Sequence, residues 1–149
     1  SKSDQAALWK GIRDRVVDVV ATDHAPHTVL EKEQSYSVAP SGIPGVQTMI
    51  PLLLGAVSDE RLSLEDVARL CSSNPRRIFD LKEKSGCFSV MGSSASAKIT
   101  NAAQLSKCGW TPFDGLAIRG AVSETHVNGY KVFDGKNIVE ENRGKGELL

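Results

Sequence analysis

One aspartate and two histidines stand within five residues of one another, at Asp23, His24 and His27. They directly follow a run of β-branched residues at 16–20, which is interrupted only by Asp18. A carboxylate in such a loop can hold a metal ion or carry a proton, and an imidazole can bind a metal or exchange a hydrogen bond with a substrate. These residue types and their spacing indicate a catalytic loop at the end of a strand.

A structural interpretation of the same loop stays open. An aspartate after a strand also begins ordinary Asx-type turns that lead into a helix, and His24 and His27 would then be solvated loop residues. Clusters of titratable groups at strand ends are enriched in functional sites without being diagnostic of them. Spacing alone does not decide between the two interpretations.

The run at 16–20 has the composition of a parallel strand that is buried on both faces. In a parallel α/β barrel the active site lies at the carboxyl ends of the strands, which is where Asp23 would stand. A helix should precede this strand, with Ser3 as its N-cap. Its apolar stripe comprises Ala6, Leu8, Trp9 and Ile12, so Trp9 is predicted to be a core residue.

Helical patterns continue after the loop. Residues 46–57 are strongly apolar and predict a buried helix with Pro51 in its early part. Ser63 caps a second predicted helix, and Asn74 with Pro75 is predicted to begin a third one as N-cap and first helical residue.

From about residue 86 the pattern changes to short β-prone stretches separated by turn residues. The pair Asn128-Gly129 predicts a hairpin, and Asp134-Gly135 predicts the next turn. His126 lies on one of these strands, where a structural role is favoured over metal binding. The chain is therefore predicted to consist of two units, residues 1–84 and residues 85–149.

Composition bounds the function. The chain has 149 residues, of which 18 are basic and 18 acidic, so its formal charge of zero gives no electrostatic basis for a nucleic-acid or membrane partner. No apolar run approaches the ~20 residues that span a bilayer. The three cysteines stand at unrelated spacings and are predicted to be reduced thiols, which favours a cytoplasmic location.

Four longer strings resemble the dihydroorotases of the cyclic amidohydrolase superfamily. They are TDHAPH at 22–27, APSGIPGVQT at 39–48, NPRRIF at 74–79 and SKCGWTPFDG at 106–115, in that order. Hydantoinases and allantoinases also have an Asp-His pair at the first of these positions, whereas the following Ala-Pro-His is typical of the dihydroorotase branch. The resemblance covers nearly the whole chain.

The resemblance implies an α/β fold in which residues 1–84 are the carboxyl-terminal part of a metal-dependent-hydrolase TIM barrel. Residues 85–149 would then supply strands of a β-sandwich accessory domain. A complete barrel needs roughly 250 residues. We therefore expect the chain to be the carboxyl-terminal portion of a longer enzyme and to be inactive without the amino-terminal portion.

The same resemblance implies roles for four residues. Asp23 would be both a metal ligand and the group that carries the proton, and His27 would hydrogen-bond the substrate. Ser41 and Gly42 would contribute main-chain contacts to the substrate ring. One or two zinc ions are implied, and because a catalytic zinc takes three or more protein ligands, the remaining ligands must lie outside this chain.

The activity implied is the reversible, zinc-dependent cyclisation of N-carbamoyl-L-aspartate to dihydroorotate in pyrimidine biosynthesis. Expected partners are this small-molecule substrate, the amino-terminal portion of the enzyme, and either a second copy of the chain or aspartate transcarbamoylase. Two alternatives stay open: a hydantoinase or allantoinase, and a non-catalytic scaffold with the same fold.

Overall fold

Five helices precede three strands in the computed structural model, which describes residues 1–146, except the side chains of residues 93–95. The helices are α1 (Lys2–Arg13), α2 (Val29–Lys32), α3 (Met49–Ser58), α4 (Leu64–Ala68) and α5 (Asn74–Ile78). The strands are β1 (Phe88–Lys98), β2 (Ala117–Val127) and β3 (Tyr130–Phe133). None of the described helices is long and apolar enough to cross a bilayer.

The structure confirms one of the three predicted N-caps. Ser63 caps α4, and its hydroxyl accepts from the Asp66 amide at 3.1 Å. In α3, Pro51 is the third residue, where its missing N–H would have no helical partner in any case. The predicted N-cap of α1 is wrong: Ser1 rather than Ser3 caps this helix, because Ser1 forms the reciprocal bonds with Asp4.

Helix α4 continues into α5 through a π-helical turn, Arg69–Ser73, so residues 64–78 are helical throughout. The prediction that Asn74 is an N-cap is therefore wrong. Asn74 is itself helical, and its side-chain amide donates to the carbonyl of Asp18 at 2.8 Å. This asparagine fastens the helix to the segment that carries the candidate loop.

Residues 16–20 form no strand in the described part of the chain, and Val16 is 76% exposed, so the prediction of a strand buried on both faces is wrong here. A buried parallel strand needs a neighbour on each side, and residues 1–146 supply none. The backbone instead bonds to helical residues: Val17 donates to Gly11, and Val20 donates to Leu70 at 3.3 Å.

The three strands form one antiparallel sheet in the order β1-β2-β3. Asn128 and Gly129 have φ values of 52° and 82°, and Val127 pairs with Tyr130, which confirms the predicted hairpin. The Asp134 turn is also confirmed, since its carboxylate accepts from the Lys136 and Asn137 amides. The described residues contain this one sheet, and the second sheet of the predicted sandwich is not among them.

The core lies between the helices and the sheet. Leu54 and Leu70 are fully buried, and the half-buried Trp9 packs against the core cluster that contains Leu70, as predicted. Helix α3 lies directly on β2, because a Cβ on Gly120 would stand 2.4 Å from the Cβ of Leu54. Since α3 contacts the sheet, the division between residues 84 and 85 stays a prediction.

Candidate active site

Two loop segments, residues 22–27 and 39–46, lie side by side. The amide of Ala25 donates to the carbonyl of Ile43 at 3.0 Å, and His24 and Ile43 form a parallel bridge. Gly42 has φ 85°, and a Cβ at this position would stand 2.6 Å from the Cβ of Ala25. Only glycine allows the two segments to approach this closely. The structure thus brings the predicted catalytic and substrate-binding stretches together.

His24 holds the two segments in this arrangement. Its Nδ1 accepts hydrogen bonds from the amides of Gly45 at 3.1 Å and Val46 at 3.3 Å. A nitrogen that accepts from two amides carries no proton and has no lone pair free for a metal. The side chain therefore orients the neighbouring segment, a role that the spacing of the sequence does not indicate.

Asp23 is exposed and has a left-handed backbone, with φ 44°. Non-glycine residues seldom adopt this conformation, although aspartate tolerates it better than most. Strained backbones of this kind concentrate at functional sites. The loop therefore presents the Asp23 carboxylate to solvent next to the structural imidazole of His24.

His27 is half-buried, and its backbone is fixed on both sides. Its amide donates to the carbonyl of Ala25 at 3.0 Å, and its own carbonyl accepts from the indole Nε1 of Trp110 at 2.7 Å. The next residue, Thr28, caps α2 in a reciprocal pair with Glu31. Hydrogen bonds from the Thr28 hydroxyl and amide, with a smaller contribution from His27, hold the pKa of Glu31 below its usual value.

Ser41 and Gly42 are exposed beside this loop. Lys32 fastens their segment, because its ammonium donates to the carbonyls of Pro40 at 2.6 Å and Gly42 at 3.1 Å. These two bonds hold the main chain of the segment in place beside the loop at 22–27.

The described residues contain no cluster of three or more histidine, cysteine, aspartate or glutamate side chains that could hold a metal. Asp23 can supply one carboxylate oxygen, and His24 is committed to the Gly45 and Val46 amides. A catalytic zinc needs three protein ligands, so the residues described here do not by themselves make a zinc site.

Sequence reasoning missed two long-range supports of this site. Trp110 reaches His27 from 83 positions away, and Gln47 bonds the carbonyl of Ala103 and the amide of Leu105, both at 2.8 Å. Both residues lie in strings that carry the family resemblance, which was the one signal available. Spacing and periodicity carry no information on contacts of this range.

Comparison of sequences identifies relatives along nearly the whole chain. The chain is 39% identical over 145 residues to the multifunctional protein pyr1-3 of Dictyostelium discoideum, covering 97% of this chain and 6% of that protein. It is 35% identical over 151 residues to the dihydroorotase of Pyrococcus furiosus, covering 97% of this chain and 35% of the enzyme. The chain thus spans about a third of the dihydroorotase and far less of the multifunctional protein. No protein-family model matches it.

Solved structures share the fold. A D-hydantoinase from Thermus sp. matches 91% of this chain with a TM-score of 0.83 at 24% identity, and the match covers 32% of that enzyme. The inactive dihydroorotase-like domain of a CAD-like multifunctional protein from Chaetomium thermophilum matches 89% of this chain with a TM-score of 0.69 at 25% identity. It covers 37% of that domain. The α/β architecture is therefore that of a segment of an amidohydrolase barrel protein.

The chain is therefore a relative of the dihydroorotases, matching a segment of about a third of their length.

Proposed function

We propose that this chain is the dihydroorotase segment that carries the catalytic Asp23 loop and the adjacent substrate-binding loop. The reaction is the reversible cyclisation of N-carbamoyl-L-aspartate to dihydroorotate. The observation that carries the proposal is the juxtaposition of residues 22–27 with residues 39–46, held by the Ala25–Ile43 bond of 3.0 Å. The similarity to dihydroorotases over 97% of the chain supports it.

In the hydrolytic direction, water adds to the ring carbonyl carbon and the carbon–nitrogen bond breaks. The water oxygen must lose a proton and the leaving nitrogen must gain one, so a single carboxylate can take the first proton and deliver the second. Asp23 has this role. In the reverse reaction the nitrogen attacks the carboxyl carbon and water leaves, so Asp23 takes a proton from the attacking nitrogen and delivers it to the departing oxygen.

His27 and residues 41–42 bind the substrate in this proposal. The His27 imidazole lies in an open groove of about 470 Å³ that is also lined by Leu30 and Pro40. From this position it hydrogen-bonds the substrate, while the main chain of Ser41 and Gly42 contacts the ring. The Lys32 bonds to this segment fix its geometry before substrate arrives, which lowers the entropic cost of binding.

A divalent metal, zinc in particular, belongs to the proposal with Asp23 as one ligand. The other ligands come from outside this chain, because the described residues contain no group of three or more histidine, cysteine, aspartate or glutamate side chains that could hold a metal. The proposal accordingly includes an amino-terminal portion of the enzyme as the obligatory partner. A second copy of the chain or aspartate transcarbamoylase is the further partner proposed, and the free cysteines favour a cytoplasmic location.

The test is the activity of the natural protein that carries this sequence, assayed with dihydroorotate, N-carbamoyl-L-aspartate, hydantoin and allantoin. We expect turnover of the first two, and a loss of roughly 10²–10⁴-fold in Asp23→Asn, the usual contribution of a proton-transfer group. Asp18→Asn is the matched control, because Asp18 is exposed in the same segment and pairs only at 3.5 Å with Arg77. Turnover of hydantoin or allantoin instead would favour the alternative amidohydrolases, and equal activity of the two variants would exclude Asp23 from catalysis.

A non-catalytic scaffold is the second candidate. One observation favours it: a solved relative with TM-score 0.69 is described as an inactive dihydroorotase-like domain. A protein that binds no metal and turns over none of the four substrates would support the scaffold. Metal binding that Asp23→Asn abolishes would exclude it.

A further inference from the structure

The segment 101–111, which lies between β1 and β2, contacts both loops of the candidate site. The side-chain amide of Gln47 donates to the carbonyl of Ala103 and accepts from the amide of Leu105, both at 2.8 Å. Gln47 follows Gly45 and Val46, the residues whose amides point at His24. At its other end the segment bonds His27 through Trp110. A segment remote in sequence is therefore docked along the site.

Trp110 stands on a part of this segment that is itself well fixed. The adjacent Thr111 is buried, and its amide donates to the side chain of Asn101 at 2.8 Å. Cys108 is buried as well, and its thiol lies 3.7 Å from the carbonyl of Trp110. The backbone that carries the indole is thus held on both sides, so the indole N–H is a fixed donor.

The bond from Trp110 completes the restraint on His27. The amide of His27 donates to the carbonyl of Ala25, and its carbonyl accepts from the indole. At 2.7 Å this is a short hydrogen bond between a half-buried donor and its acceptor. The N–H of the same peptide, at Thr28, donates to the Glu31 carboxylate at 2.6 Å, so the indole is the second restraint on the peptide that joins His27 to α2. Without the indole, this peptide would be held by the α2 cap alone, and we expect the imidazole to be less well fixed.

We propose that Trp110 is a positioning residue, which fixes the backbone of His27 and thereby the direction of the substrate-binding imidazole. This inference rests on the proposed function for its effect on substrate, while the structural restraint stands independently of any activity. Trp110 acts through His27 and takes no part in proton transfer. Its loss should therefore affect substrate binding more than the chemical step.

The test compares Trp110→Phe with Trp9→Phe in the natural protein that carries this sequence. Phenylalanine keeps an aromatic ring and removes the indole N–H. Trp9 is the matched control because it is also half-buried and packs in the core, over the guanidinium of Arg61. We expect KM for dihydroorotate to rise roughly tenfold in Trp110→Phe with kcat within about twofold of the wild type, and neither constant to change in Trp9→Phe.

Hydrogen exchange of residues 22–28 gives a second readout that needs no substrate. We expect faster amide exchange in this loop for Trp110→Phe and unchanged exchange for Trp9→Phe. If Trp110→Phe fails to fold, benzothienylalanine at position 110 takes its place in both measurements. This sulfur isostere of tryptophan keeps the bicyclic shape and lacks the N–H.

The outcomes separate the two proposals. An active wild type whose Trp110 variant retains normal KM and normal exchange overturns the positioning role and leaves the proposed function standing. A wild type that turns over neither substrate overturns the proposed function. In that case amide hydrogen exchange of residues 22–28 alone tests the positioning role of Trp110. Faster exchange in the loop supports the restraint by Trp110, and unchanged exchange overturns it.

Discussion

Asp23, His24 and His27 are neighbours in the chain, yet they have three different environments. Asp23 is exposed on a left-handed backbone, His24 accepts from two amides, and His27 is half-buried under the Trp110 bond. The side chain that faces solvent is the one whose chemistry the proposed reaction needs. The His24 imidazole orients the adjacent segment, and the backbone of His27 is held by Trp110, which fits the substrate-binding role proposed for the His27 imidazole.

Gly42→Ala tests how closely the two loop segments must approach. The new methyl group would meet the Cβ of Ala25 at 2.6 Å on a backbone with φ 85°. Gly129→Ala is the control, since Gly129 has φ 82° and nothing within 4 Å of a built Cβ. We expect both variants to lose about 1 kcal/mol from backbone strain, and Gly42→Ala to lose about 1–3 kcal/mol more from the clash. Urea unfolding measures both, and equal losses would show that the segments can separate freely.

At the scale of elements, reciprocal capping bonds mark the start of three α-helices, α1, α2 and α4. Ser63 and Asp66 form a capping box on α4, and Arg69 pairs with Asp66 at 3.1 Å one turn later. The backbone bond from Ser63 is the largest cause, followed by the Arg69 side-chain bond, of a lowered pKa for Asp66. The start of α4 is therefore stabilised by an ionised carboxylate.

Asp66→Asn should destabilise the protein in a pH-dependent way. A carboxyl whose folded pKa is lowered binds its proton more weakly in the folded than in the unfolded state, so it stabilises the fold when ionised. We expect the free energy of unfolding of the wild type to be about 1 kcal/mol higher than that of Asp66→Asn at pH 7. This difference in unfolding free energy should persist as the pH falls to 3.8, the ordinary pKa of the aspartate side chain. It should vanish as the pH falls further, through the lower pKa that Asp66 has in the folded protein.

Denaturant unfolding from pH 7 down to pH 3 measures this difference. Glu65→Gln is the matched control, because this substitution removes a negative charge from the same first turn and leaves the capping box of Ser63 and Asp66 in place. A constant difference between wild type and Asp66→Asn across the range would contradict the role of the ionised cap.

At the scale of the whole molecule, large apolar side chains lie on the surface of both predicted units. Val16 and Val46 are exposed beside the candidate loops, and Phe88 and Val90 are exposed on the edge strand β1. An apolar groove of about 750 Å³ also runs between Val46 and the sheet. Soluble monomers seldom expose contiguous surfaces of this kind. We therefore expect a further polypeptide to cover the apolar surfaces of this chain.

We expect the 149-residue chain expressed alone to bind the dye ANS and to self-associate with rising concentration. Light scattering coupled to gel filtration measures the association. Expression together with the amino-terminal two thirds of a dihydroorotase should suppress both effects, because that portion would cover the apolar surfaces. A monodisperse monomer that does not increase ANS fluorescence would contradict this expectation.

Sequence by itself determined the features that depend on near neighbours. Four such features could be predicted, because each involves bonds or constraints within a few residues. They are the Asn128-Gly129 hairpin, the Ser63 cap, the early proline of α3 and the string at 22–27. Tertiary structure alone decided that residues 16–20 bond to helices, that His24 accepts from Gly45 and that Trp110 holds His27. Those contacts join residues far apart in the chain, so they depend on how the elements pack, and no local pattern encodes packing.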